Sequence, residues 1–138
     1  MGSILQKGSV LGPLLFNIFI NDLPLHITNS KVVFDLFVDD NSIHSCGTDV
    51  ESVQCCLQEG LNDVSKWCHQ NRIVIDPGKT KSMVLAARQK HQLKPLMLKL
   101  TLGIDIVEQV HEHRVLGVTL DEELKWQSHI DNFCKQLA

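Results

Sequence analysis

A chain of 138 residues, 43% of them hydrophobic, suits one globular domain with a buried core. Its net charge of −3 sets it apart from free-standing nucleic-acid binders, whose affinity comes largely from neutralising phosphates. Five cysteines, an odd number without C-x-x-C spacing, exclude a disulfide scaffold and a zinc module, and point to free thiols in a reducing, intracellular compartment.

Taken in chain order, the apolar stretch at 10–20 is too short to span a membrane. Only Lys7 precedes it and no small-x-small cleavage site follows, so neither a membrane segment nor a secretory leader is expected. Gly8-Ser9 forms a loop in which backbone can approach a ligand closely. Pro13 opens a helix over 12–23 and Pro24 stops it, with Leu14, Leu15, Ile18 and Phe19 as the expected buried stripe. Strands at 31–38, mostly buried, and 41–46 make a hairpin with Asp39 and Asp40 at its turn. Thr48-Asp49-Val50-Glu51 is a capping box opening a helix whose core face is Val50, Val53, Leu57, Leu61, Val64 and Trp67. Short strands are expected at 73–75 and 82–87 around an Asp76-Pro77-Gly78-Lys79 turn, then a hairpin of 96–102 with 104–107 about Gly103. A strand at 114–120 follows, and Asp121 caps a last helix lined by Trp126, Ile130, Phe133 and Leu137. This irregular alternation predicts the α+β class, a sheet with helices on one face.

Phe37-Val38-Asp39-Asp40 is the most informative segment. Two carboxylates at the tip of an apolar hairpin suit a hard divalent cation, since Mg²⁺ takes one or two protein carboxylates and completes its shell with water and phosphate oxygens. Asp and Asn are also ordinary turn residues, and the pair alone does not choose between the two readings. Charge is segregated. Residues 32–65 carry seven acids (Asp35, Asp39, Asp40, Asp49, Glu51, Glu59, Asp63) and no Lys or Arg. Residues 77–104 carry six bases (Lys79, Lys81, Arg88, Lys90, Lys94, Lys99) and no acid. The acids on the helix read as a solvated face; the basic run reads equally as a solvated face or as a phosphate-contacting one. His111 with His113, and Cys68 with His69, lack further ligands at zinc-like spacing. Ser9 with His26 or His44 lacks a G-x-S-x-G elbow.

Gly8-Ser9-Val10-Leu11-Gly12-Pro13-Leu14-Leu15-Phe16, followed after about twenty residues by Phe-Val-Asp-Asp, resembles the reverse transcriptases of non-LTR retrotransposons. Three more segments agree in order. Trp67 to Lys81 is similar to the family's W…N…N-x-x-K-T stretch, with Asp76 at the second Asn. His113-Arg114-Val115-Leu116-Gly117-Val118-Thr119-Leu120-Asp121 is similar to its F-L-G-V-x-L-D region, and Leu124-Lys125-Trp126-Gln127-Ser128-His129-Ile130 to its L-x-W-x-x-H-I continuation. The resemblance covers nearly the whole chain.

The resemblance implies a partial polymerase palm over 1–110, then a primer-grip region and the start of the thumb over 111–138. It implies RNA-directed DNA synthesis by two-metal nucleotidyl transfer, with Mg²⁺ as cofactor and an RNA template, a DNA primer and deoxynucleoside triphosphates as partners. Asp39 and Asp40 take the metal-ligand positions, and Lys79 the one near the leaving diphosphate; a plain turn lysine is its alternative. Gly8 and Ser9 would border the templating base and incoming sugar, Phe37 would pack beneath the primer end, and Leu116 and Gly117 would shape the primer grip. The sequence departs from the pattern at Lys7, where the family has Gln, and at Val38, where it has a small Ala. The family's first metal-binding Asp lies on a strand upstream of the Gly-Ser loop, and Met1 stands seven residues before Gly8. The expectation is therefore a fragment that binds metal weakly or not at all and is inactive alone. An apolar strand at 32–38 left at a sheet edge would favour self-association. A non-catalytic remnant, or a domesticated nucleic-acid or protein-binding module, is the alternative.

Overall fold

The computed structural model describes residues 11–37, 40–86, 96–126, 130–131 and 134. The expectations for Gly8, Ser9, Val38, Asp39, Arg88, Lys90, Lys94, Phe133 and Leu137 lie outside the described residues. Two units divide the chain, one drawing on residues 1–47 and 55–75, the other on 48–54 and 76–138.

In the first unit, helix α1 (Leu11–Ile20) ends earlier than expected, and Pro24 sits in the first turn of a short 3₁₀ helix, Leu23–His26, where its missing N–H costs nothing. Of the expected stripe, Leu14, Leu15 and Ile18 are exposed and Phe19 is only partly covered, its ring against Trp67; Gly12, Phe16 and Ile20 face inward. An almost wholly apolar helix has no polar face to mark its outside, so packing alone chose the side.

Strand β1 (Val32–Phe37) pairs antiparallel with β2 (Asp40–Ser45) in the register Val32↔Ser45 to Phe37↔Asp40. Alternation makes β1 half-buried rather than mostly buried: Phe34 and Leu36 pack toward the core, whereas Val33 and Phe37 stay exposed. Helix α2 (Val50–Gln70) carries the expected stripe, with Leu57, Leu61 and Trp67 buried and Val50, Val53 and Val64 half-buried. Ile20, Leu23, Trp67 and Cys68 form the core, with Phe34, Leu36, Val64, Ile73 and Ile75 against it. Gly60 lets α2 approach the hairpin: a Cβ there would lie 3.0 Å from Val32 Cγ1. Two acids of the acidic run are anchors rather than a solvated face. Asp63 Oδ2 accepts the Thr28 backbone N–H and hydroxyl, both at 2.8 Å, and Glu59 Oε2 accepts Asn29 Nδ2 at 2.6 Å.

The α2 termini account for two sequence signals. Asp49, not Thr48, is the N-cap, its Oδ1 accepting the Ser52 N–H at 2.7 Å. At the other end Ile73 N–H donates to Cys68 O at 2.8 Å and Arg72 N–H to His69 O at 3.2 Å, a Schellman motif with Arg72 at φ 59° in the position that favours glycine. Asn71 Nδ2 donates to Trp67 O at 2.9 Å, so the Trp and Asn of the W…N pattern serve the core and the helix end. Arg72→Gly is expected to raise the unfolding free energy by about 1 kcal/mol, because glycine adopts left-handed backbone without a Cβ clash. A urea midpoint that stayed put or fell would contradict this.

In the second unit the strands are short. β3 (Lys81–Ser82) pairs parallel with β6 (Glu108–Gln109); β4 (Thr101–Leu102) pairs with β5 (Asp105–Ile106) around Gly103; β7 (Glu112–Val115) pairs with β8 (Val118–Asp121). Leu98, Leu100, Leu102 and Val107 are buried. Side chains replace main-chain partners where strands were expected. Gln109 accepts the Leu98 N–H at 2.7 Å through Oε1 and donates to Leu96 O at 2.8 Å, and Gln54 Oε1 accepts the Lys99 N–H at 2.8 Å. Residues 73–75 and 83–86 form no strand.

The α+β class therefore holds, as mixed helix and small sheets. The single sheet expected from the sequence is instead four two-stranded ladders among the described residues, three antiparallel and one parallel. Strands of two residues expose too few main-chain groups to template a wider sheet. No helix among the described residues is long and apolar enough to cross a membrane.

Candidate functional site

In the first unit the closing pair of the β1–β2 hairpin is Phe37 opposite Asp40, and the two residues between them, Val38 and Asp39, lie outside the described residues. The register explains why this end is accessible. Val32, Phe34 and Leu36 turn toward the core, so the period of two turns Val33, Asp35 and Phe37, with their partners His44, Ser42 and Asp40, to the other face. Asp40 is exposed, and Phe37 beside it is 60% exposed. A solvent-facing carboxylate at a hairpin end is a hard oxygen donor of the kind magnesium takes, so the donor chemistry fits that ion. Among the described residues no group of three or more His, Cys, Asp or Glu is poised to hold a metal.

The same face holds a pair that the motif reading did not single out. Asp35 Oδ2 lies 3.3 Å from His44 Nδ1, a diagonal between the Asp35–Ser42 and Val33–His44 pairs that begins two residues along β1 from Phe37. An acid inside an apolar strand was the available signal for it.

Lys79, in the second unit, sits on a turn built by Asp76. Asp76 Oδ1 accepts the Gly78 N–H at 3.0 Å, and Asp76 O accepts the N–H groups of Lys79 at 3.1 Å and Thr80 at 3.2 Å and the Thr80 hydroxyl at 3.1 Å. The Lys79 side chain is 86% exposed, with Nζ 3.9 Å from Asp76 Oδ2. Lys81, two residues on, is bound to Glu108 Oε2 at 2.5 Å, which removes it from the basic run as a free cation.

Leu116 and Gly117 correct the expectation of one continuous strand at 114–120. They are the two residues of a tight turn between β7 and β8, with φ of 49° and 86°. Both central residues at positive φ define the hairpin turn whose twist matches its strands. Below this ladder His111 Nδ1 meets Glu122 Oε2 at 2.6 Å, which gives that histidine a carboxylate partner. The helix expected to start at Asp121 begins later. Asp121 Oδ1 accepts the N–H groups of Glu123 at 2.9 Å and Lys125 at 3.1 Å, but Leu124 and Trp126 have φ of 54° and 62°, and helical backbone is described at 130, 131 and 134.

Two of the five cysteines sit where the thiol form is favoured. The Glu59 carboxylate beside Cys55 holds its thiol above the ordinary value, aided by burial, and burial does the same for Cys68. Raised values keep both as poorly nucleophilic thiols.

The family model described as reverse transcriptase (RNA-dependent DNA polymerase) matches residues 2–120. The chain belongs to this family. It is 30% identical over 135 residues to "Probable RNA-directed DNA polymerase from transposon BS" of Drosophila melanogaster, covering 90% of this chain and 14% of that protein. It is 25% identical over 131 residues to "RNA-directed DNA polymerase from mobile element jockey" of the same fly, covering 91% and 14%. With "Retrovirus-related Pol polyprotein from type-1 retrotransposable element R1 2" of Nasonia vitripennis it shares 25% over 125 residues, covering 90% and 30%. The resemblance to non-LTR reverse transcriptases thus holds, while the chain spans about 14% of the length of the first two relatives. No solved structure matches it.

Gly117→Val is expected to destabilise the β7–β8 hairpin by about 1–2 kcal/mol, since a β-branched residue is strained at positive φ. Amide hydrogen exchange at residues 112–121 would report it as faster opening there; unchanged protection would refute the assignment of the turn.

Proposed function

We propose that this chain is a portion of an RNA-directed DNA polymerase, with residues 1–110 belonging to the palm and 111–138 to the primer grip and the start of the thumb. The observation that carries the reading is the Phe37–Asp40 closing pair, which puts the first and last residues of the Phe-Val-Asp-Asp sequence at an exposed hairpin end of a chain belonging to the reverse transcriptase family. In the reaction a primer 3′-hydroxyl oxygen bonds to the α-phosphorus of a deoxynucleoside triphosphate, and the bond to diphosphate breaks.

Asp39 is the principal residue that would hold magnesium, and Asp40 its companion. A cation held by these carboxylates would supply electrostatic stabilisation of the charge that develops on the reacting oxygens. Lys79 meets the departing diphosphate and supplies it with a proton. Gly8 and Ser9 border the templating base and incoming sugar, Phe37 packs beneath the primer end, and Leu116 with Gly117 shapes the grip on the primer. An intracellular setting is supported by the five free cysteines.

The carboxylate that the family places upstream of the Gly-Ser loop is not among these 138 residues. Two carboxylates hold two cations poorly without the third. A polypeptide of these residues alone is therefore expected to bind a primed RNA template in a salt-dependent manner and to add little or no nucleotide with Mg²⁺. Robust extension abolished by Asp39→Ala would overturn the inactivity. No template binding at low salt would overturn the polymerase reading itself.

Self-association through β1 belongs to the same proposal. Its exposed outer side chains Val33 and Phe37, and its pairing with β2 alone among the described residues, support it. The chain is expected to elute above monomer size, more so as concentration rises; a monomer at high concentration would refute it.

A further inference from the structure

We propose that Asp76 is a positioning residue that occupies the Lys79 ammonium in the ligand-free chain and yields it to a diphosphate or triphosphate. The inference rests on the reading of Lys79 as the residue that meets the leaving diphosphate.

The two oxygens of the Asp76 carboxylate have separate tasks. Oδ1 accepts the Gly78 N–H at 3.0 Å, which fixes the turn together with the three hydrogen bonds that Lys79 and Thr80 donate to the Asp76 carbonyl. Oδ2 faces Nζ of Lys79 at 3.9 Å. An asparagine at this position, the residue type of the W…N…N-x-x-K-T pattern, could keep the first task through its amide oxygen and could not perform the second. The aspartate thus adds a charge that the turn itself does not require.

That charge acts on Lys79 in two ways. It holds the ammonium near the turn when no phosphate is present, and it repels an incoming polyanion. Both groups are largely exposed, with 86% of the lysine side chain and 58% of the aspartate side chain accessible, so water and salt weaken the pair. The contact is consequently a tether that a multiply charged phosphate can outcompete. Lys81 cannot take over this duty, because Glu108 already holds it.

The test uses inorganic diphosphate as the probe and the 138-residue chain as the protein. Asp76→Asn is expected to tighten diphosphate binding about two- to fivefold at low salt, the range an exposed ion pair supports. The gain should shrink in high salt and vanish when Lys79→Ala is present as well. Unchanged amide resonances of Gly78 and Thr80 in Asp76→Asn would show that the turn is intact, whereas Asp76→Ala should shift them. Equal or weaker binding by Asp76→Asn, with Lys79→Ala still weakening it, overturns the tether alone. If Lys79→Ala binds diphosphate as the parent does, the reading of Lys79 falls and the tether with it.

A second measurement reads the contact directly. A zero-length carbodiimide should activate the Asp76 carboxyl, and attack by the Lys79 amine should form an amide and release the carbodiimide as its urea; excess diphosphate should suppress the product. Absence of that cross-link in the ligand-free chain overturns the proposal.

Discussion

Burial of Trp67 is the constraint on which the first unit depends. Its side chain is 2% exposed and lies in the core with Ile20 and Leu23, with the Phe19 ring centroid 5.5 Å from its own. Phe34 and Leu36 pack against the same cluster, which commits the even-numbered residues of β1 to the inside. A strand has a period of two, so the odd-numbered residues must face out, and their partners with them. Asp40 owes its accessibility to this arithmetic: it pairs with Phe37, and Phe37 is on the outward face because Leu36 is not. A slip of one residue in the register would bury the carboxylate and expose the apolar set.

The second unit is held together differently. Its ladders are two to four residues long, and side chains fill in for absent strands. Gln109 brackets the main chain at Leu96 and Leu98, Gln54 receives the Lys99 amide, and Asp76 and Asp121 each organise a turn. Each such contact satisfies one or two polar groups without extending a sheet. Turns presented this way leave their side chains accessible, and Lys79 and Leu116 are both exposed. Lys79 and Leu116 thus both sit on turns, where backbone geometry determines how a side chain is presented.

The motifs were legible because their residue types are tied to local physics. Asp-Asp beside an apolar strand and Pro-Gly before a lysine each name a turn. The amphipathic stripe of α2 was legible for the same reason, since Val50, Val53, Leu57, Leu61, Val64 and Trp67 stand out against polar neighbours. Where neighbours did not contrast, the reading failed. Helix α1 has apolar residues on nearly every side, and the buried side proved to be Gly12, Phe16 and Ile20. The Arg114 to Leu120 run is apolar enough for a strand, yet positive φ at Leu116 and Gly117 folds it back on itself.

The sequence alone determined the family, the position of the hairpin, the long helix and the residue types available for chemistry, because these depend on composition and spacing along the chain. Only the tertiary structure decided which face of each element is covered. It also decided that Glu59 and Asp63 anchor a loop and that Lys81 is engaged by Glu108. Such outcomes depend on which side chains meet in space, often tens of residues apart, and a local pattern carries no information about a partner it does not contain.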